Sequence, residues 1–255
     1  MPKLLTLAAL LAIPAMALAA GERIMVYGDS NTFGWITGEK ISRLDPDLAW
    51  PAQMKKSLGD AEVIVEGLSG RTTEVEMPLG YGTGRIHGVS MNGAAYLPAA
   101  LSSHLPLDLV VIMLGTNDMH KLADRTAGEI ALGLGRLTEI VRGGKWQDRT
   151  DYPVPDVLVI TPPVLKFEKS IWQQGFPEGE KLSKALPGIA KPIVEALGGH
   201  FMEGAKIVPV ASSPDEVHLS EAEHRALGEA AAVEVKRILG ERAKRLAEEK
   251  VLTVP

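Results

Sequence analysis

The chain has 255 residues, 45% of them hydrophobic and 23% charged, a balance that suits a globular protein with room for one sizeable core. The formal net charge is −5, and the basic residues between Lys236 and Lys250 are interleaved with glutamates, so no basic face presents itself to nucleic acid. There is no cysteine, which excludes disulfides, thiolate catalysis and cysteine-held metal.

At the N-terminus, Lys3 precedes an apolar run from Leu4 to Leu18 that ends in the small-x-small triplet Ala17-Leu18-Ala19. A positive start, a short apolar centre and a small-residue exit predict a secretory signal peptide over residues 1–19, cleaved after Ala19 or Ala20. The run is short for a membrane span of about 20 residues, so an uncleaved anchor is the lesser alternative. The expected mature domain, 20–255, is therefore periplasmic or secreted, with no stable membrane insertion after cleavage.

Five apolar runs then read as strands: Arg23–Gly28, Ala61–Leu68, Leu107–Gly115, Val157–Thr161 and Ala205–Val210. Their near-continuous apolar character predicts burial on both faces, as in a parallel sheet. Helical patterns lie between and after them, over Trp50–Leu58, Asn92–Leu105, Thr126–Val141, Leu182–Leu197 and Ser220–Leu246. Thr126 offers a capping side chain, and Ser220 with Glu223 makes an S-x-x-E pattern. The alternation predicts one α/β domain, a three-layer α/β/α sandwich around a doubly wound, parallel five-stranded sheet. Two stretches stay irregular, the Gly-rich Met77–Ser90 and the segment 162–180. Long loops of this kind in a compact domain are often functional.

The strand ends carry the chemistry. The first ends in Gly28-Asp29-Ser30, which sets a hydroxyl at the C-terminal edge of the sheet. The second runs into Gly67-Leu68-Ser69-Gly70, where Gly70 lets a backbone N–H face the same edge. The third ends in Gly115-Thr116-Asn117-Asp118, and an Asn amide is a neutral donor for a developing oxyanion. After the fifth comes Asp215-Glu216-Val217-His218. There the carboxylate can hold Nδ1–H and leave Nε2 free to take a serine proton. Each word alone also reads as a turn or a helix cap. Together they place a nucleophile, oxyanion donors and a base on one edge.

These blocks resemble the SGNH (GDSL-like) hydrolase family: Gly28-Asp29-Ser30, Gly70, Gly115-x-Asn117-Asp118 and Asp215-x-x-His218. The longer words Glu66–Thr73, Asn92–Pro98 and Leu105–Val110 running into Met113–Asp118 are similar to the bacterial arylesterase/acyltransferase branch. The resemblance covers essentially the whole mature chain. It implies the flavodoxin-like fold of that family, with Ser30 as nucleophile and His218 and Asp215 as its relay. It further implies an oxyanion hole of Ser30, Gly70 and Asn117, and self-association into a homo-oligomer. Trp35 and Trp172 are the aromatic residues expected near the acyl or alcohol pocket, with core packing an equal alternative.

The expected activity is hydrolysis of short-chain aryl or alkyl esters through an acyl-serine. Water is the acceptor, and an alcohol or peroxide is an alternative one. A carbohydrate O-acetylesterase or a lysophospholipase/thioesterase of the same fold is the nearest alternative, and an exported, non-catalytic ligand-binding protein is the alternative of another class. No G-x-S-x-G is present. None of the six histidines has metal-ligand spacing, and no phosphate cradle follows the first strand. Neither a metal nor a cofactor is expected.

Overall fold

The computed structural model describes residues 21–37, 42–78, 81, 88–147 and 150–252. The expected signal segment, 1–19, lies outside the described residues, as do 79, 80 and 82–87 of the Gly-rich loop.

One sheet contains β1 (Arg23–Gly28), β2 (Glu62–Gly67), β3 (Leu109–Met113), β4 (Asp156–Thr161) and β5 (His200–Glu203). The strands lie in the order β2-β1-β3-β4-β5, and every pairing is parallel. Successive side chains alternate between the faces. Met25, Tyr27, Val110, Ile112, Val157 and Val159 enter one core, and Ile24, Val26, Leu109, Val111, Leu158 and Ile160 enter the other. The first core is covered by α2 (Gly93–Ser103), α3 (Ala127–Gly143) and α4 (Gly179–Ala196) through residues such as Leu97, Leu134 and Leu186. The second is covered by α1 (Trp50–Leu58) and α5 (Glu221–Leu252) through Trp50, Met54, Leu227 and Val235. Each fully buried Leu, Ile or Val contributes about 1.5–3 kcal/mol, so the central strands anchor the three-layer sandwich. Among the described residues no helix is long and apolar enough to cross a membrane.

Two strand expectations change. The second strand is an edge, and Val65 is 44% exposed. With no neighbour beyond it, Glu62 and Glu66 can face water, and burial on both faces applies only to the inner strands. The fifth strand is His200–Glu203, not Ala205–Val210. Gly204–Lys206 is a 3-10 turn, and Val210 makes only an isolated bridge to Val164. Pro209 has no N–H to give to a ladder, while the half-polar His-Phe-Met-Glu suits an edge. The apolar Val208 and Ala211 are buried all the same, as loop residues filling the second core.

Helix ends follow local chemistry. Thr126 and Glu129 form a reciprocal capping box on α3. At α5 only half of the expected box forms. Glu223 accepts the Ser220 N–H at 2.8 Å, while Ser220 Oγ pairs with Ser212 Oγ. α5 lies close against α1, where a Cβ on Gly228 would sit 2.5 Å from the Trp50 carbonyl oxygen. One turn earlier, His224 Nδ1 accepts the Trp50 N–H at 3.2 Å, satisfying an otherwise orphaned donor at the start of α1.

The register sets the site. Gly28 pairs with Gly67 on one side and Met113 on the other, so three strands end level. The chain leaves β1 toward opposite neighbours, and this switch point opens a crevice at the C-terminal edge.

Candidate active site

Ser30 begins a single helical turn, Ser30–Phe33, directly after β1. Asp29 caps that turn by accepting the Asn31 N–H at 2.9 Å. Ser30 Oγ lies 2.8 Å from His218 Nε2, and His218 Nδ1 lies 2.5 Å from Asp215 Oδ2. The other oxygen of Asp215 accepts from Ser213 Oγ (2.6 Å), Val217 N–H (3.0 Å) and His218 N–H (2.9 Å). Burial alone would raise the Asp215 carboxyl, but the bonds from His218 and Ser213 outweigh it and hold it well below the usual carboxylate range. The carboxylate is thus ionised and fixed, and it selects the tautomer that donates from Nδ1. Nε2 is left as an acceptor facing Ser30.

Asn31, absent from the sequence-level site, joins the segments that carry Ser30 and His218. Its Oδ1 accepts the Leu219 N–H at 2.9 Å, and its Nδ2 donates to the Val217 carbonyl at 3.4 Å. The signal is invisible locally, because the partners are far apart in the chain.

Gly70 has φ +87, a left-handed conformation open to glycine. Among the described residues, neither the Ser30 nor the Gly70 N–H donates to a protein acceptor, so both are available to an oxyanion. Behind Gly70, Asp118 is fully buried and accepts Thr73 N–H at 3.0 and 3.1 Å and Thr73 Oγ at 2.6 Å. This pins the loop after β2 to the turn after β3. Asn117 is held differently from a free oxyanion donor. Its Oδ1 accepts from Tyr81 OH at 2.9 Å, while Nδ2 donates to the Arg71 carbonyl at 3.0 Å and lies 3.4 Å from Asp29 Oδ2. One N–H is committed to Arg71, and the second has only the long contact to Asp29 to give up. Burial lifts the carboxyls of Asp29 and Asp118 to about 6.

These groups open into a cavity of about 460 Å³, within the usual range for small-molecule sites. Among the described residues its polar lining is Ser30, Ser69, Asn117, His120 and His218, and its walls include Trp35, Tyr81, Trp172 and Phe176. Among the described residues no carboxylate, lysine or arginine lines it. Trp35 and Trp172 flank the His218 ring with centroids 6.2 Å away, Trp172 edge-on. His120 lies between Tyr81 and Phe176, and burial lowers its imidazole below the usual range. Tyr81 and His120 went unmarked in the sequence, while Phe176 stood out only as an aromatic residue in the irregular segment 162–180. The only available signals were an aromatic residue in the Gly-rich loop and a histidine two places after Asn117-Asp118. Among the described residues no cluster of His, Asp and Glu could hold a metal.

Comparison with known proteins places the chain. The family model described as GDSL-like lipase/acylhydrolase matches residues 26–226. The aryl esterase of M. smegmatis is 38% identical, with a TM-score of 0.78 over 86% of this chain and 100% of that one. Est24, a carbohydrate acetylesterase from Sinorhizobium meliloti, is 37% identical, with a TM-score of 0.78 over 85% and 99%. A carbohydrate acetylesterase family member from the same organism is 35% identical, with a TM-score of 0.76 over 86% and 99%. A search of curated protein sequences finds no match. With a family model spanning most of the chain and these structural relatives over their full length, the protein belongs to the GDSL-like lipase/acylhydrolase family of ester hydrolases.

Proposed function

We propose that this protein is a serine esterase that cleaves short-chain carboxylic esters through an acyl-Ser30 intermediate. The observation that carries this reading is the continuous chain from Ser30 Oγ through His218 to Asp215, at 2.8 and 2.5 Å, on the floor of the cavity. Ser30 Oγ attacks the ester carbonyl while His218 Nε2 takes its proton. Asp215 stabilises the resulting imidazolium. The oxyanion is met by the Ser30 and Gly70 N–H groups. The Asn117 amide joins them as its long contact to Asp29 yields. One such donor is worth about 2.7–4 kcal/mol in the transition state. His218 returns the proton to the leaving alcohol, then activates water to release the acid.

The aromatic walls, uncharged among the described residues, favour neutral aryl and alkyl esters over charged ones. They also offer flat apolar faces to an incoming alcohol, so acyl transfer competes with hydrolysis. A second reading, O-deacetylation of carbohydrates, draws on the carbohydrate acetylesterase relatives. Turnover of p-nitrophenyl acetate, butyrate and octanoate beside an acetylated xylan separates the two readings. Added ethanol diverts product to ethyl ester if transfer operates. Ser30→Ala is expected to lower kcat by about four to six orders of magnitude. Equal rates in both proteins would remove Ser30 from the mechanism. Export through residues 1–19 and self-association belong to the same proposal. They are read by the N-terminal mass of the secreted protein, starting at Ala20 or Gly21, and by light scattering.

A further inference from the structure

The turn that carries Trp172 has no core of its own. The loop after β4 leads to a 3-10 turn, Ile171–Gln174, in which no residue is buried. Ile171 is 80% exposed and Trp172 40%. Apolar burial holds only its flanks, where Phe167 and Phe176 pack on the first core, and not the turn itself. Yet Trp172 lines the cavity and meets the His218 ring edge-on.

Hydrogen bonds hold the turn at both ends. Beyond it, the Lys121 N–H donates to the Gly175 carbonyl at 2.8 Å, tying it to the segment that follows Asn117. Before it, a single oxygen of Glu216 accepts the backbone N–H groups of Glu168 (2.8 Å), Lys169 (3.3 Å) and Ser170 (3.1 Å). Ser170 Oγ in turn accepts the Trp172 N–H at 3.1 Å. Glu216 sits between Asp215 and His218 with φ +59, a left-handed conformation that disfavours a residue bearing a Cβ. Burial would raise its carboxyl, but the three amides outweigh that and hold it below the usual range.

We propose that Glu216 is a positioning residue. It seats the Trp172 wall of the cavity on the same segment that carries Asp215 and His218, so that wall and base keep a fixed spacing. The effect on turnover rests on the esterase reading above, while the clamp itself does not. Loosening it widens the cavity without touching the proton relay, so substrate binding suffers more than the chemical step.

The test uses the full chain as wild type, E216A, E216G and E216Q, each also with Trp172→Phe. Two readouts are p-nitrophenyl butyrate kinetics and acrylamide quenching of the Trp172 fluorescence, taken as the difference from the Phe variant. E216A and E216G are expected to raise KM about three- to tenfold with kcat within about twofold, and to make Trp172 more accessible to quencher. E216Q, whose amide oxygen can accept the same N–H groups, is expected to lie between them and wild type. Unchanged KM and quenching in both E216A and E216G would overturn the proposal. So would an effect in E216A that E216G lacks, because it would belong to backbone strain and not to the clamp. If the wild-type protein hydrolyses no ester, the esterase reading fails, and the quenching series still decides the clamp.

Discussion

Ser30 and His218 arrive at 2.8 Å from segments at opposite ends of the chain, and Asn31 adds two further hydrogen bonds between those segments. Misplacing reacting groups by about 1 Å costs on the order of 100-fold in rate. Asn31→Ala is therefore expected to lower kcat about 10- to 100-fold while KM stays close to wild type. Stopped assays on the purified variant check this, and an unchanged kcat would mean that packing alone sets the spacing. The residue scale also marks what was legible in the sequence. Ser30, Gly70, Asn117, Asp215 and His218 stood in words whose spacing carries meaning. The roles of Asn31, Tyr81, His120 and Glu216 were not legible, because their partners lie on other loops, and a side chain's long-range hydrogen bonds leave no trace in local spacing.

At the scale of elements, the contact between α5 and α1 shows how a buried polar group makes stability depend on pH. His224 is fully buried and caps the Trp50 N–H, and burial lowers its pKa from the ordinary 6.5 to about 4. A depressed pKa means that the unfolded chain binds the proton first. This contribution is therefore present above about 6.5 and is lost as pH falls through about 4; it amounts to on the order of 3 kcal/mol. Asp29 and Asp118, raised to about 6 by burial, act oppositely. Their contribution is full below about 3.8 and is lost as pH rises through about 6. His224→Gln leaves both carboxyls in place, so comparing it with wild type isolates the histidine. The stability gap between the two, from urea melts at pH 7 and pH 4.5, is expected to shrink toward the lower pH. A gap independent of pH would contradict the buried neutral histidine.

For the whole molecule, the central strands were legible because both faces are buried, so their sequences are apolar without a break, as in Val110-Val111-Ile112. The edges were harder. β5 is short and half polar, and the apolar stretch after it, with Pro209, fills a core as a loop. The pattern recorded burial faithfully at that place, but burial without ladder bonding is not a strand. What the fold accomplishes is to end β1, β2 and β3 level, so that a serine, two free N–H groups and a histidine from a distant segment converge on one cavity. Nucleophilic catalysis by Ser30 is the central claim. The most direct measurement is reaction of the full-length wild-type protein and Ser30→Ala with a fluorophosphonate, followed by intact-mass and peptide mapping. One adduct per chain on Ser30 is expected in the wild type, with parallel loss of esterase activity, and none in the variant. An adduct on another residue, or esterase activity that survives in Ser30→Ala, would contradict it.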